Sequence, residues 1–596
     1  MATGLCLAWA IGAAGTWVGR AAGPLVGGVA LIVVLWGALY WPTGRPGRLL
    51  GAVLQASASG GVAAALVVGW FSPLFEAWLG PVWLATAGLR LTLAAMCGVT
   101  LGLALVRRAD DPALPFPEAA ALAEVIGLPT LGRSWRILLV PGFLSGAARA
   151  GLALGWWPGV ALAAGDGRGW AGLAGLMVAP GLVGLGMLVG WETVAALAAG
   201  SLAVGAMILP AALEMGPVKV VAPALRAAGE AGGLELQASY GPLIGLGAGA
   251  VLAAFSLWEG LPVAWKAWRT GRWRRGLDLR SGALPALAAV LLGGLALGGP
   301  AVTGSLPGIL LFLAAGALSA ALGVAAVAHL GNLPLPVLGL PALAMAGPAL
   351  AAGLGAGRIA GLDGRAASVL TAGALTLAAA LFAADYLQTV RVNLLLEAAW
   401  PVYPVKLTSC LAGLSGAAWA ASTLTATGAF PPPAEAGLVS RVALAGLTGR
   451  LPLGFLVSGA GLGALSRLLV RPAWTVALGA LLPLPAALTL LLGGLAARRC
   501  PESARLVGFG LLLGDLVVQG GILLLKAWRL VPLGVGPGEK SLVVATGGGG
   551  RVAGLLVLAG LALFAIVLAR RSGGAAAMGA EGNKPRTAAG NAASPG

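Results

Sequence analysis

Apolar segments follow one another along almost the whole chain, and many are long enough to cross a lipid bilayer, which takes roughly 20 mainly apolar residues per crossing. Hydrophobic residues make up 59% of the sequence and charged residues only 10%, which leaves little for a soluble domain. The clearest segments are Leu31–Tyr40, Leu84–Val106, Leu173–Trp191, Ala283–Leu297, Thr371–Phe382, Trp474–Leu495 and Val552–Ala569. The sequence therefore predicts an all-α, polytopic membrane protein with about 14–16 transmembrane helices.

We expect one transmembrane domain over residues 1–571, because no extended polar linker interrupts the apolar segments. Residues 572–596 are rich in Gly, Ala, Asn and Pro and contain no apolar run, which predicts a disordered C-terminal tail. The first fifteen residues have no basic region of the kind that starts a signal peptide, so no cleavable signal is expected.

The net charge is +17, and the positive residues fall mainly between apolar segments. The densest cluster interleaves Lys266, Arg269, Arg272, Arg274, Arg275 and Arg280 with tryptophans. This pattern is typical of a cytoplasmic loop with interfacial aromatic residues, not of a nucleic-acid site. The Ala/Gly/Leu-rich bias suggests a GC-rich bacterial genome, and hence a multi-pass protein of the bacterial inner membrane.

Glycine occurs 98 times and proline 38 times, often inside or beside the apolar segments. Small residues let helices pack closely, and interrupted helices occur in membranes only where protein or a water-filled cavity satisfies the backbone. We therefore expect some transmembrane helices to be broken, as in many secondary transporters.

Several kinds of chemistry are disfavoured by composition. The one histidine, His329, excludes multi-histidine metal sites and makes a Ser-His-Asp triad improbable, and the four cysteines are scattered without a CxxC pair. Gly534–Ser541 departs from a phosphate-binding loop at Glu539. We therefore expect no enzyme activity, no cofactor and no metal site, and energy from an ion gradient.

The sharpest motif runs from Leu114 to Ile126 and reads LPFPEAAALAEVI. Pro117 and Glu118 suit the first turn of a helix, where a missing N–H costs nothing and a negative charge meets the positive end of the dipole. The stretch up to Gly127 is too short to cross a membrane, which predicts a half-helix or the entry to a broken span.

This motif resembles the LPFPEGTACAEVL element of the oligopeptide transporter family, which includes the yellow-stripe-like metal-chelate carriers. Further elements resemble the family in the same order along roughly residues 48–527. They are Gln55–Gly61, Tyr240–Ala250, Ala384–Gln388 with Pro404–Lys406, Arg450–Gly463, Val476–Pro485 and Arg505–Leu525. Because the Gly-Thr pair after Glu118 and parts of other elements are replaced, the resemblance is to a divergent member.

Two aspartates inside apolar segments are the main candidates for the transport pathway, since ionisable groups in a membrane usually face a cavity or a partner. Asp385 lies near Gln388; a proton- or substrate-coupling carboxylate and a structural ion pair with Arg391 both fit its pattern. Asp515 has Gln519 one turn later on the same face, and a helix–helix hydrogen bond is the alternative to a role in the pathway.

The remaining candidates are Glu118, Glu124, His329 and Asn332. For Glu118 the alternative is capping of a helix terminus, and Glu124 is a similar, weaker candidate. His329, with Asn332 close by, could titrate near neutral pH, but a lone histidine is more often a packing or interfacial residue.

The resemblance implies a secondary active transporter that takes up oligopeptides or metal chelates with protons, with a small peptide or metal chelate as its substrate and the lipid bilayer as its surroundings. A passive channel, a non-transporting scaffold and an intramembrane transferase are the alternatives. The transferase needs a cluster of His, Asp or Arg at one membrane face, which the sequence does not show. Assembly into a homo-oligomer is left open.

Overall fold

The structure is a computed structural model that describes mainly residues 2–22, 48–79, 83–104, 114–127, 133–161, 175–209, 240–255, 362–427, 453–469, 473–499 and 504–527, with a few residues elsewhere. This part of the chain is mainly α-helical. Three of its helical stretches, 49–69, 191–208 and 373–395, are long and apolar enough to cross a membrane. The mainly helical character and the presence of helices that could span a membrane are confirmed for these residues.

The described helices are numbered here in chain order. They are α1 (Ala2–Ala22), α2 (Arg48–Leu79), α3 (Trp83–Ala104), α4 (Pro117–Gly127), α5 (Arg133–Ala153), α6 (Pro180–Val189), α7 (Trp191–Leu202), α8 (Leu243–Leu252), α9 (Leu362–Leu395), α10 (Val402–Thr427), α11 (Leu453–Leu469), α12 (Ala473–Gly479), α13 (Leu484–Arg499) and α14 (Ala504–Ala527). A π-helix, Ala203–Ile208, continues α7.

Two short strands were not predicted. Val160–Ala161 (β1) pairs antiparallel with Leu176–Met177 (β2), with Val160 opposite Met177. The hydroxyl of Thr489 on α13 donates a hydrogen bond to the carbonyl of Met177 at 3.0 Å. The hairpin is thereby attached to α13, immediately before α6 begins.

Helices from both halves of the sequence form a first group. In it, α1, α2 and α10 pack against one another, and α9 packs against α2 and α3. Small residues allow the close approach: a Cβ on Gly60 would meet Ser409 and Cys410 of α10. This observation agrees with the expectation that glycine sets tight helix packing.

A second group consists of α5, α6, α7, α12, α13 and α14. Here α14 packs against α5 and α6, and α13 packs against α6 and α7. The contact of α5 with α14 is especially close, because Gly142 faces the backbone of Gly510 and Gly514.

The short helix α4 lies between the two groups. It contacts α9 and α2 of the first group and α14 and α6 of the second. Pro117 is its first residue and Glu118 lies in its first turn, so the predicted start of a short helix is confirmed. Phe116 precedes it with a positive φ of 40° and is 1% exposed, so a buried aromatic ring fixes the start of the helix.

Two broken helices pack against each other in opposite directions. The first consists of α6 and α7 and is interrupted at Gly190, whose φ of 88° is readily adopted only by glycine. The second consists of α12 and α13, interrupted by the buried turn 480–482 before Pro483. The continuous spans predicted at Leu173–Trp191 and Trp474–Leu495 are therefore wrong. The first contains the strand Leu176–Met177 and becomes helical only at Pro180, and a turn before Pro483 divides the second.

Glycine pairs hold these broken helices together on both sides of the breaks. Gly186 meets Gly493, and Gly200 and Gly479 each meet the backbone of the opposite segment. Gly186 precedes Gly200 along one segment, whereas its partner Gly493 follows Gly479 along the other, so the two segments run antiparallel.

The helices α8 and α11, each of which is rich in glycine and follows a proline, also pack against each other. Gly247 meets the backbone of Leu456 and Ala460, and Gly459 meets the backbone of Ile244. The ring of Tyr240 stacks on Phe455 with 4.5 Å between centroids. Helices similar in sequence pattern are thus direct neighbours in the fold.

Several predictions concern residues outside the described ranges. They are the tail 572–596, Asn332, the basic cluster 266–280 and the apolar segments Leu31–Tyr40 and Ala283–Leu297.

Candidate functional site

A lysine and an aspartate form an ion pair in the interior of the first helix group. The Nζ atom of Lys406 on α10 lies 2.5 Å from Oδ2 of Asp385 on α9, and the two side chains are 0% and 1% exposed. Asp385 is near the middle of the candidate span 373–395. Taking two charges out of water costs several kcal/mol per ion, so such a pair exists only where the surrounding groups compensate for it.

The helix α2 supplies that compensation. Lys406 Nζ donates to the carbonyl oxygen of Ala56 at 3.0 Å and to Oγ of Ser59 at 2.5 Å. The Asp385 carboxylate adds an ion-pair contact to these two hydrogen bonds. The lysine therefore joins three helices through one atom.

The ion pair has a different partner from the one that the sequence suggested. Arg391 is six residues beyond Asp385 on the same helix, which places it about 9 Å along the axis and well around it. Lys406 reaches the carboxylate instead, because α10 packs against α9. Of the two alternatives for Asp385, the ion pair is present, but its partner is Lys406 and not Arg391.

The polar groups around this pair are not all satisfied. Oδ1 of Asp385 accepts no hydrogen bond from any residue that the structure describes. The same holds, over the described ranges, for both amide atoms of Gln55 on α2, which is 2% exposed. Buried polar groups are normally hydrogen-bonded, so these atoms mark a place where another group can bind.

Hydroxyl groups extend the polar region along the same helices. Ser409 Oγ lies 3.3 Å from Oγ of Ser57, and Thr100 Oγ1 lies 3.2 Å from the hydroxyl of Tyr403. Tyr403 in turn meets the edge of Tyr386, with 6.3 Å between ring centroids. The region therefore offers hydrogen-bonding groups from α2, α3, α9 and α10.

A second ion pair lies in the other helix group. Nε of Arg149 on α5 is 3.8 Å from Oδ1 of Asp515 on α14, and the side chains are 16% and 9% exposed. The backbone N–H of Gly181 also donates a hydrogen bond to the Asp515 carboxylate. Gly181 is in the first turn of α6, so the carboxylate meets the positive end of that helix.

The approach of α5 to α14 sets this geometry. Ser145 is one turn before Arg149, and its hydroxyl donates to the carbonyl of Leu511, one turn before Asp515, at 2.5 Å. A Cβ on Gly181 would lie 2.5 Å from Oδ2 of Asp515. Glycine at this position allows the carboxylate to reach the helix terminus.

The breaks in the helices are also satisfied by side chains. The hydroxyl of Ser201 on α7 donates to the carbonyl of Leu482 at 2.7 Å, inside the turn between α12 and α13. This bond gives a carbonyl at the break a side-chain donor in place of the backbone N–H that a continuous helix would supply.

The predicted site residues fall into different parts of the fold. Asp385 and Gln388 are buried on α9, whereas Asp515 is buried and Gln519 half-buried on α14. The two aspartates have different partners, and the structure pairs them in separate clusters.

The acidic residues of α4 lie between those clusters. Glu118 is 8% exposed, and Glu124 is half-buried within electrostatic range of Arg505 on α14. His329 is 5% exposed, and its Nδ1 has no partner among the described residues. Asn332 is outside the described ranges.

Sequence reasoning missed three residues of these clusters as site candidates: Lys406, Arg149 and Gln55. Each carried a detectable signal, namely a cation or an amide within an otherwise apolar helix. Lys406 and Gln55 even lie in elements that resemble the oligopeptide transporter family, but spacing alone does not show which helices meet.

No group of three or more His, Cys, Asp or Glu side chains comes together in the described part of the chain, so no metal site is assigned there. No protein-family model matches the sequence. The search of curated proteins also gave no match.

Proposed function

We propose that this protein is a secondary active transporter that couples the uptake of a small solute to a proton gradient. The observation that carries the proposal is the ion pair of Lys406 with Asp385, buried where α2, α9 and α10 meet. A charged residue near the centre of a membrane helix is costly, by about 2.5–3.5 kcal/mol on insertion scales, and such residues mark ion and substrate pathways. A second buried carboxylate, Asp515, supports the same reading.

The mechanism is alternating access. Protonation of a buried carboxylate weakens its ion pair, and this favours the state that faces one side of the membrane. The ion pair of Asp385 joins helices within the first group, and that of Asp515 joins helices within the second. The helix α4, which carries Glu118, contacts both groups. A rearrangement within one group that breaks its ion pair, while the pair of the other group is kept, exchanges access between the two sides of the membrane.

The broken helices support transport as well. Helix ends that terminate inside a membrane protein expose dipole ends and backbone groups, and transporters use them at their binding sites. Here the N-terminal end of α6 meets Asp515, and the turn between α12 and α13 is held by Ser201.

The finer identity rests on the sequence resemblance. We propose a divergent member of the oligopeptide transporter family with about 14–16 spans, in the inner membrane of a bacterium, whose substrate is an oligopeptide or a metal chelate. The protein has no enzymatic role in this proposal, and the proton gradient supplies the energy.

The test is uptake into proteoliposomes of a mixed pool of short peptides and iron or nickel chelates, with and without an inward proton gradient. Mass spectrometry of the lumen identifies the solute that accumulates. We expect gradient-dependent accumulation of one class, its loss in Asp385→Asn and Asp515→Asn, and normal uptake in Ser415→Ala, whose hydroxyl is exposed on α10 and bonds its own helix.

Two results would contradict the proposal. Flux that is insensitive to the gradient would indicate a channel. The absence of flux from folded protein, together with a tightly co-purifying partner, would indicate a scaffold. Wild-type uptake rates in both asparagine variants would be consistent with transport but would show that Asp385 and Asp515 do not couple it to protons.

A further inference from the structure

Gln55 is a buried glutamine whose amide makes no hydrogen bond within the described part of the fold. Both Oε1 and Nε2 lack a partner there, and the residue is 2% exposed. Leaving one donor group and one acceptor unpaired in an apolar interior costs free energy that a leucine of similar size would avoid. A polar ligand that pairs with the amide accounts for a glutamine at this position.

The position of Gln55 identifies its neighbours. Ser59 is four residues later on α2, so the two residues share one face of the helix. Ser59 Oγ and the carbonyl of Ala56 are the groups that hold the ammonium of Lys406. Gln55 is therefore on the side of α2 where Lys406 and Asp385 meet, and Asp385 Oδ1 is a further unpaired atom of that cluster.

The chemistry of these groups defines a ligand. Lysine provides a positive charge, and a glutamine amide donates through its nitrogen and accepts through its oxygen. A carboxylate with an N–H on the adjoining carbon matches both, because the carboxylate binds the ammonium and the amide nitrogen, while the N–H donates to the amide oxygen. We propose that Lys406 and Gln55 bind the α-amino-carboxylate group of the transported solute.

This inference rests on the proposed function and specifies how the solute is recognised. The same group occurs at the C-terminus of a peptide and in amino-carboxylate chelators. The two sources share the chemistry of the site, so they are separated by the test.

Binding of such a ligand requires an exchange of partners. In the structure Lys406 is paired with the carboxylate of Asp385. Adding the ligand's carboxylate beside the same buried ammonium would leave an uncompensated negative charge. Asp385 therefore takes up one proton when the ligand's carboxylate replaces it at Lys406, and the cluster stays neutral. One proton is thus bound for each solute carboxylate, which couples solute binding to proton binding.

The other titratable groups around Asp385 are few among the described residues. On α10 they are Cys410 and Tyr403, and Cys410 interacts electrostatically with both Lys406 and Asp385. Tyr386 is the next residue on α9, and Glu118 lies on α4, which packs against α9. The facing residues of α2 are serines and Gln55, which do not titrate. The acids of α4 are Glu118 and Glu124, and Glu118 is the more buried of the two, so the test includes Glu118→Gln.

The experiment is isothermal titration calorimetry of the full-length protein in lipid nanodiscs, with trialanine, trialanine amide and nickel–bis-histidine as probes. We expect the carboxylate probe to bind and its amide to bind about tenfold more weakly or worse, as expected for loss of a charge-assisted hydrogen bond. Proton uptake on binding, measured from the dependence of the heat on buffer ionisation, should be close to one and should persist in Glu118→Gln.

Two variants separate recognition from structure. Gln55→Leu should weaken binding by about tenfold, while the unfolding temperature stays the same or rises, because an unpaired amide has been removed. Asp385→Asn should bind the carboxylate probe more tightly than the wild type and should take up no proton, because the competing carboxylate is gone. Ser415→Ala should behave as the wild type. A merely structural role for Asp385 predicts weaker binding instead.

The remaining outcomes are decisive. Binding of trialanine alone assigns the site to peptides, and binding of the nickel complex alone, with the same dependence on Gln55, assigns it to chelates. Equal affinity for trialanine and its amide, unchanged affinity in Gln55→Leu, or no binding of either carboxylate probe overturns the inference. Gradient-driven uptake that does not depend on Gln55 would leave the proposed function standing and this inference refuted.

Discussion

Nζ of Lys406 and Oδ2 of Asp385 are 2.5 Å apart, with neither side chain exposed to solvent. This contact links α9 to α10, and the carbonyl of Ala56 extends the link to α2. The pair is thus both a structural joint and a charge that can be neutralised by one proton. Its two roles can be separated by substituting one partner or both.

Replacing Lys406 alone should be strongly destabilising. Lys406→Met leaves the Asp385 carboxylate buried without a counter-ion, and breaking a buried pair in this way costs about 3–5 kcal/mol. The double variant Lys406→Met/Asp385→Leu removes both charges and should recover most of that loss. Thermal unfolding of the purified proteins in detergent, followed by tryptophan fluorescence, measures the difference.

Ser415→Ala on the same helix serves as the control for this comparison and should unfold at the wild-type temperature. Equal unfolding temperatures for Lys406→Met and the wild type would show that the pair contributes nothing to stability. A double variant as unstable as the single one would show that the lysine stem, not its charge, matters.

The overall class of the fold was predictable because it depends on composition. Apolar segments long enough to cross a membrane favour helices over other structures. Pro117 and Glu118 also indicate in the sequence where α4 begins. The breaks at Gly190 and before Pro483 were harder to place. Glycine and proline are so abundant that each one alone carries little information, and only the packed neighbours show where the helix ends.

The partners of the candidate residues could not be predicted. Asp385 and Lys406 are about twenty residues apart on successive helices, whereas Arg149 and Asp515 come from distant parts of the chain. Which helices meet depends on shape, in particular on glycine faces such as Gly142 against Gly514. The sequence alone does not show which helices are neighbours. It therefore identifies the buried charged residues but not their partners.

The contact between the two broken helices should tolerate no added side chain. A Cβ on Gly493 would meet the carbonyl of Val183 and Cα of Gly186, and neither backbone group can move easily. Gly493→Ala should therefore destabilise the protein by about 1–3 kcal/mol. The unfolding temperature in detergent provides the measurement.

Gly461 on α11 is the matched control for that substitution. It is exposed, and a Cβ there would meet nothing within 4 Å. Gly461→Ala should be neutral or stabilising by up to about 1 kcal/mol, because alanine favours the helix. If both alanine variants behaved alike, close packing at Gly493 would be excluded as the cause.

The hydrogen bond from Ser201 to Leu482 should stabilise the turn between α12 and α13. Ser201→Ala removes this buried hydrogen bond, which costs about 0.5–1.5 kcal/mol. Ser422→Ala removes a hydroxyl that bonds only within its own helix, to Trp419, and should cost far less. Hydrogen exchange measured by mass spectrometry should show faster exchange at the amides of residues 480–482 in Ser201→Ala only. Unchanged exchange there would mean that the turn is held by other contacts.

The carboxylate of Asp515 and the glycine at the start of α6 should be energetically coupled. A methyl group on Gly181 would lie 2.5 Å from Asp515 Oδ2, so Gly181→Ala pushes the carboxylate away from the helix terminus and should cost about 1–3 kcal/mol. In an Asp515→Ala background the same change meets no carboxylate and should cost clearly less, which gives a coupling energy of about 0.5–3 kcal/mol in a double-mutant cycle. Gly521→Ala, at a site on α14 with nothing within 4 Å, controls for an added methyl group. Unfolding temperatures of the four proteins of the cycle give the result. Strict additivity would show that Asp515 does not depend on the end of α6, and Arg149 would then be the contact that holds it.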